Sequence, residues 1–524
     1  MERCETPRAE VVPGMSTGSV GAWLTRHRVE SVAVSVSLLL SLWLIYIDDV
    51  INSDGVLYLT SAESFARGDW QTAIEIYRWP LYAWLISMVQ LAVGIGSDSA
   101  AYVLNTLLYA ITVWSFIAIV RTFNANNRTL WWAAVFVLAL PSLNGYRSFV
   151  IRDIGFWAFY LLGLLAFFQF QLQPTWVRAL SWGMAMAVAT LFRIEGVVFL
   201  LLLPAVVLWR PKRNWKKALA RFAQLHTVAF AVLLGGAAWF GATGVPRLSG
   251  RLFEPLLWLE LFGKQLTSGL DEKAELLAQY LLNSYSDDFA LPGVLVILLL
   301  ILVTHVVKGL SLLGVVATAY TWIHHAIPVS AETRRSLMWL IALNIAVLIV
   351  FVTQQFFLTG RYVIALALTL ALYVPFGLNR IYEQWREARN QPQTKRKWLF
   401  PLATLLVVAM VVDSLWSFGS SGRYLKEAGE WLQANTATDA RIYSTNAIIS
   451  YYAGKGNATR ENDSSVADLR LDGDVRTYDY LAVVVKRKDV MPRALAEMPM
   501  IRSFSNKRND RVLIFRVSDL KADS

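Results

Sequence analysis

Apolar runs of about 16–22 residues recur from Ser31 to Leu415, each bounded by charges, glycine or proline, and that is the length an α-helix needs to cross a bilayer. So many runs leave little room for one large soluble core. The 524 residues are 56% hydrophobic and only 17% charged, whereas a soluble chain carries about a quarter charged residues. The chain therefore reads as an all-α polytopic membrane protein with about eleven to thirteen transmembrane helices.

A formal charge of +11 invites a nucleic-acid reading, so the placement of the charges matters. They concentrate in short segments between apolar runs: "TRHR" (25–28), "RPKRNWKKALAR" (210–221) and "NRIYEQWREARNQPQTKRK" (379–397). The positive-inside rule explains them as cytoplasmic loops, and no nucleic-acid partner is expected. Cys4 is the only cysteine, which removes disulfides and cysteine metal sites. The polar leader, 1–30, has no apolar core, so 31–47 reads as a retained first span and not a cleaved signal. These features place the chain as a multi-pass protein of the cytoplasmic (inner) membrane.

Alternation of sides then orders the rest of the transmembrane domain, 31–421. Residues 48–99 form a first outer loop containing an interfacial amphipathic helix, 55–68. The run 80–96 returns to the outer face as a re-entrant or juxtamembrane helix, because Arg121 and Arg128 mark the end of the following run as cytoplasmic. A second long outer loop is expected at 242–288. Runs 290–307 and 309–325 cannot both span if 331–335 and 379–397 share the cytoplasmic side. From 422 to 524 the composition becomes ordinary. "YLKEAGEWLQANT" and "AIISYYAG" read as helices and "ARIYST", "YLAVVVK" and "RVLIFRV" as strands, giving a small extracytoplasmic, periplasmic α/β domain.

Four polar sites share the expected outer face: Asp48/Asp49/Asp54, Arg147/Arg152/Asp153, Arg193/Glu195 and Arg361/Tyr362. Each abuts an apolar run, where an ionised group is costly and is usually paired or functional. The plainer reading is that the arginines snorkel and the aspartates cap helices. The chemical reading is that a carboxylate serves as general base on an acceptor hydroxyl while arginines bind a phosphate leaving group. No G-x-x-x-x-G-K-[ST] loop and no strand-flanked G-x-G-x-x-G occurs, which favours a donor already attached to lipid.

"DGVLYLTSAESFARGDW…YRWPLYAWLI", "YRSFVIRDIGFWAFYLLGLLAF", "TLFRIEGVVFLLLLP" and "FLTGRYVIALAL" together resemble the GT-C superfamily of membrane glycosyltransferases. The similarity is to the branch holding protein mannosyltransferases, aminoarabinose transferases and related polyprenyl-phosphate-sugar enzymes, and it covers roughly residues 31–415. It implies a polyprenyl-phosphate-linked sugar donor and a glycan, lipid or protein acceptor. On that resemblance Asp54 matches the acidic catalytic position, with Tyr58 as its companion and Asp153 as a second acid. Arg152, Arg193 and Arg361 become donor-phosphate candidates, Arg361 the best placed by motif. Where the family has Asp-Glu this chain has Asp54-Gly55, so a second carboxylate must come from Asp48, Asp49 or Asp153. The residues point to no definite cofactor, and a divalent metal stays open.

Two alternatives compete: an O-antigen-type glycan polymerase or ligase, and a non-enzymatic lipid or glycan transporter. The first would place key arginines and a histidine in late outer loops, and the late loops lack a convincing histidine. A transporter would carry charge near mid-membrane and show repeated halves. His324-His325 has no third ligand nearby in sequence. Residues 239–266 read equally as an acceptor groove or an interfacial helix.

Overall fold

A computed structural model describes residues 25–48, 50–209, 215–243, 269–389, 398–416, 422–454 and 477–519, with 466, 469 and 475. The N-terminal part carries the candidate span α1 (Arg28–Ile47), followed by α2 (Ser53–Ala66), α3 (Trp70–Ile76) and α4 (Leu81–Val93). The bundle continues with α5 (Ser97–Thr122), α6 (Asn127–Ala139), the single turn α7 (Pro141–Asn144), α8 (Asp153–Leu172), α9 (Trp176–Phe192) and α10 (Gly196–Leu202). After these come α11 (Trp215–Leu225), α12 (Thr227–Thr243), a helix α13 over 269–280, α14 (Ala290–Ile323), α15 (Ala331–Gln355), α16 (Gly360–Ala371), α17 (Val374–Arg389) and α18 (Leu399–Leu415). Helix starts follow local chemistry. Asn126, Thr175 and Ser330 each accept a backbone N–H of the first turn of α6, α9 and α15, satisfying a donor that has no partner within the helix.

Among the described residues, five helices are long and apolar enough to cross a membrane, or seven if each of two bent pairs is one span. Four shorter apolar helices accompany them, α4 among them. The bends have causes. Between α11 and α12, His226 binds Phe222 O (2.9 Å) and Leu201 O (3.0 Å), while Pro375 follows the break between α16 and α17. Outward-facing Leu39, Leu42, Leu233, Leu234, Leu299, Leu300, Leu405 and Val408 are exposed, as lipid contact requires.

Contacts between distant segments sort the charges into two ends. At one, Arg121 binds Glu30 through two nitrogens (2.5 and 2.7 Å), Arg128 lies 3.9 Å from Glu383, and Arg335 donates to Trp209 O (2.6 Å). This end thus gathers the start of α1, the end of α5 and the 379–389 stretch, the segments expected to be cytoplasmic. At the other, Asp54 meets Arg361, Trp79 donates to Leu191 O, and Ser97 donates to Glu63 (2.9 Å). Both flanks of α4 lie at this second end, in keeping with a helix that does not traverse.

The parity problem at 290–325 has a structural resolution. One long helix, α14, runs through both runs, broken at Ser311, whose φ is +67°. Ser142 captures the Gly309 carbonyl beside the break (2.5 Å), so the interrupted backbone stays satisfied. Of the expected loop 242–288, residues 244–268 lie outside the described residues, and with them most of the 239–266 stretch. The remainder contains α13, which packs on α14, α15 and α16.

The C-terminal segment holds α19 (Arg423–Asn435), β1 (Ile442–Ser444), α20 (Ala447–Tyr452), β2 (Tyr480–Val485), β3 (Met500–Ser505) and β4 (Arg511–Arg516). The sheet order is β1-β2-β4-β3, with β1 parallel to β2 and the other pairs antiparallel. β3 was not expected from the sequence. It is an exposed edge strand with a register shift at Met500/Arg502, so it lacks the buried alternation that marks β2 and β4. The domain rests on the bundle: Ile51 N–H donates to the Tyr452 hydroxyl (3.1 Å), directly before the helix that carries Asp54.

Candidate active site

Asp54 and Asp153 each occupy the first turn of a helix, α2 and α8, where unpaired N–H groups and the helix dipole favour a negative charge. Arg193 caps the C-terminus of α9, where a cation is favoured. Arg361 stands in the first turn of α16, the unfavourable end for a cation, and Asp54 offsets it with an ion pair. The sites that sequence separates thus meet at one end of the bundle.

Two connected clusters result. In the first, Arg361 Nη1 binds Asp54, and its Nη2 lies 3.4 Å from the Tyr362 hydroxyl. In the second, Arg193 binds Asp153 with one nitrogen and Glu195 with two others. Arg193 is 7% exposed and Asp153 is 3%, so this pair is buried, with Glu195 half-buried beside it, while the Asp54–Arg361 pair is partly open. The Tyr362 ring joins the clusters, its centroid 4.4 Å from the Arg193 guanidinium carbon and 5.3 Å from that of Arg361. Beneath them a cavity of about 30 Å³, lined by Phe156, Phe199, Asn344, Phe351 and Tyr362, has room for one or two waters.

Close backbone approach holds the clusters in register. A Cβ on Gly155 would lie 2.2 Å from the Phe192 ring, so only glycine lets the start of α8 reach the end of α9. A Cβ on Gly55 would lie 2.8 Å from Ile51 and 3.0 Å from Val150. That contact, with Asn52 accepting the Val150 N–H (2.7 Å), ties α2 to the segment leading into α8. It also explains why a glutamate cannot follow Asp54 here: the side chain has no room.

The remaining candidates divide. Arg152 N-caps α8 and faces Tyr77, 5.7 Å from the ring centroid; among the described residues its side chain makes no ion pair or hydrogen bond. Tyr58 is buried and its hydroxyl lies 3.5 Å from that of Tyr77, so Tyr77, which sequence did not single out, links Tyr58 to Arg152. Only its position among interface aromatics could have pointed to it. Arg147 stands apart. Fully buried, it donates to Asn144 (2.8 Å), Ser41 (2.6 Å), Ser37 Oγ (3.2 Å) and Ser37 O (3.1 Å), and it stacks on Tyr109. It joins α1 to the 144–147 bend and is not brought to the clusters. Asp48 C-caps α1 and is not a partner of Arg193 or Arg361. Asp49 lies outside the described residues. Among the described residues no three His, Cys, Asp or Glu side chains are grouped to hold a metal ion.

No protein-family model and no curated protein sequence matches the chain. Among solved structures it is similar to ArnT from Cupriavidus metallidurans in the apo state, at 16% identity and a TM-score of 0.49, over 97% of this chain and 100% of that one. It is similar also to that protein bound to undecaprenyl phosphate, at 12% identity and a TM-score of 0.46, with the same coverage. A third likeness is to the archaeal oligosaccharyltransferase AglB from Archaeoglobus fulgidus, in complex with an inhibitory peptide and a dolichol-phosphate. There the identity is 13%, the TM-score 0.45 and the share of this chain covered 79%. The chain spans 59% of that archaeal protein's length, less than two thirds of it.

Proposed function

We propose that the chain is a membrane glycosyltransferase that moves a sugar from a polyprenyl-phosphate donor to an acceptor at the outer face of the cytoplasmic membrane. The observation that carries this reading is the convergence of Asp54–Arg361 and Asp153–Arg193–Glu195 at one end of an apolar bundle. A donor lipid would bring its phosphate to that end while its tail stays in hydrocarbon. Arg152 has a guanidinium open to an anion, and Arg361 has one ion-paired with Asp54, with Asp153 also within electrostatic reach.

In this reading Asp54 is the general base. It takes the proton of the acceptor hydroxyl as that oxygen attacks the anomeric carbon; the bond from that carbon to the phosphate oxygen breaks, and polyprenyl phosphate leaves as an anion. Arg152 and Arg361 stabilise the departing charge. A single displacement of this kind inverts the anomeric centre. Before the donor binds, Asp54 is held by Arg361. The arriving phosphate competes for that guanidinium and leaves the carboxylate free to act as base, so donor should bind before acceptor. Asp153, locked on Arg193, is then an electrostatic support more than a second base.

The test is envelope-glycan profiling of a deletion strain complemented with wild type or with Asp54→Asn at matched expression. Restoration of one missing sugar by wild type and not by Asp54→Asn supports the transferase. Full complementation by Asp54→Asn removes Asp54 from the chemistry and favours the transporter reading.

A further inference from the structure

The C-terminal domain carries a charge pattern that the proposed transfer does not use. Two loops meet at one tip of its sheet: 486–490, which follows β2, and 506–510, which joins β3 to β4. Val485 pairs with Arg511 in the ladder, and Arg487 N–H donates to Asp510 (3.0 Å), so the loops are stapled together. Lys486, Arg487, Lys488, Lys507 and Arg508 are all exposed at this tip, and none makes an ion pair among the described residues. The two acids in the loops, Asp489 exposed and Asp510 half-buried, both hold loop donors. Asp489 accepts Lys486 N–H (2.9 Å), and Asp510 accepts Arg487 N–H and the Asn506 side chain (2.9 Å). Both carboxylates thereby stabilise the loops; Arg508 and Lys486 lie within electrostatic reach of Asp510, and five cations against two acids leave the tip with a net charge of +3.

The tip has a defined direction. Tyr424, in the first turn of α19, lies within electrostatic reach of the Asp510 carboxylate, and Trp431 further along the helix faces Phe504 at 6.5 Å, so the N-terminus of α19 lies beside the 506–510 turn. That N-terminus is where the domain meets the bundle, with Gly422 against Val50 at 3.2 Å for an added Cβ. Close by, Trp43 donates to Leu415 O (3.2 Å), and Trp43, Tyr46 and Trp416 are exposed at the ends of α1 and α18. Exposed tryptophan and tyrosine at span ends mark the headgroup level. The five cations therefore project from the end of the domain nearest that level. Val490, 87% exposed, sits next to them as an apolar residue able to enter the interface.

We propose that the tip formed by Lys486, Arg487, Lys488, Lys507 and Arg508, with Val490, is a membrane-surface contact that binds anionic phospholipid headgroups and seats the domain on the bilayer beside α2. Clustered lysine and arginine are drawn to an anionic surface over about a Debye length, and the attraction falls with salt. Seating the domain would also fix α20, whose Tyr452 holds Ile51 just before Asp54. The contact is independent of which sugar or acceptor the bundle handles.

Hydrogen exchange of the full chain in nanodiscs tests it, with purely zwitterionic discs compared against discs containing phosphatidylglycerol. Amides of 486–490 and 506–510 should exchange about three- to tenfold more slowly in the anionic discs, and the difference should vanish in about 1 M salt. A variant with all five cations changed to glutamine should lose the difference while β2 and β4 stay protected, which shows the domain still folded. Equal exchange in both disc types overturns the proposal, as does protection that survives in the glutamine variant. Protection that ignores lipid charge and appears only on adding an acidic polysaccharide also overturns it, and reassigns the tip to a soluble polyanion.

Discussion

Changing Gly155 to alanine inserts one methyl group at the point where the beginning of α8 touches the end of α9. The added Cβ would lie 2.2–2.4 Å from three atoms of the Phe192 ring. Phe192 is fully buried, stacked on Phe159 at 5.9 Å and tilted against Tyr82 at 6.3 Å, so it has no empty rotamer to take. Carbon–carbon contacts become favourable near 3.5 Å, so the helices must part by on the order of 1 Å. Overpacking of this kind costs about 1–3 kcal/mol. The same displacement separates Asp153, two residues before the glycine, from Arg193, the residue after Phe192. A misplacement of about 1 Å at a reacting site costs about a hundredfold in rate. We expect Gly155→Ala to lower the thermal midpoint in detergent and to cut transfer about a hundredfold even well below that midpoint. Gly155→Ala with Phe192→Leu should recover most of both. Unchanged stability and transfer in the single variant, or no recovery in the double, would refute the idea that this contact sets the site geometry.

Arg193→Met leaves Asp153 buried and Glu195 half-buried without their cation and should cost about 3–5 kcal/mol in denaturation; Asp153→Asn should cost less, because Glu195 still holds the guanidinium. Arg147→Met should destabilise by on the order of 2–3 kcal/mol through lost charged hydrogen bonds, yet leave donor binding in the surviving folded protein unchanged. The Arg487 N–H and the Asn506 side chain hold the Asp510 carboxyl below its usual range. Its contribution to the loop staple is therefore present above the ordinary carboxylate value of about 4 and is lost as pH falls through the lower folded value. A spin label at Asn509 should gain mobility over that acid range, and Asp510→Asn should remove the pH dependence.

The apolar runs were legible because lipid admits few alternatives to a helix, and the pattern from Ser31 to Leu415 survives in the structure even where a run is bent. Legibility failed where packing decides between similar residues. Arg147 and Arg152 lie on one short segment and look alike in sequence. The bend after α7 turns one into a serine- and asparagine-lined interior and leaves the other open. The pairing of Asp54 with Arg361 spans 307 positions and has no local spacing to betray it. The sequence reads as two runs, 290–307 and 309–325, because nothing local shows that one helix broken at Ser311 joins them, with the Gly309 carbonyl satisfied by Ser142 from a distant turn. β3 was invisible because an edge strand with both faces exposed carries no alternation. Why glycine follows Asp54 is not readable locally either: Val150, distant in sequence, packs against Gly55 and leaves no room for a side chain.

The most direct test of the central claim measures donor-phosphate binding and transfer together in purified wild type, Asp54→Asn and Arg361→Gln, using polyprenyl phosphate in nanodiscs as the binding probe. Removing the Asp54 charge frees Arg361 from a partly exposed pair worth up to about 1 kcal/mol, so Asp54→Asn should bind the probe up to about fivefold more tightly. The same variant should lose transfer at least about a hundredfold, the usual loss of a general base. Arg361→Gln should weaken both. If Asp54→Asn transfers sugar at the wild-type rate, Asp54 is not the base and the account fails at its centre.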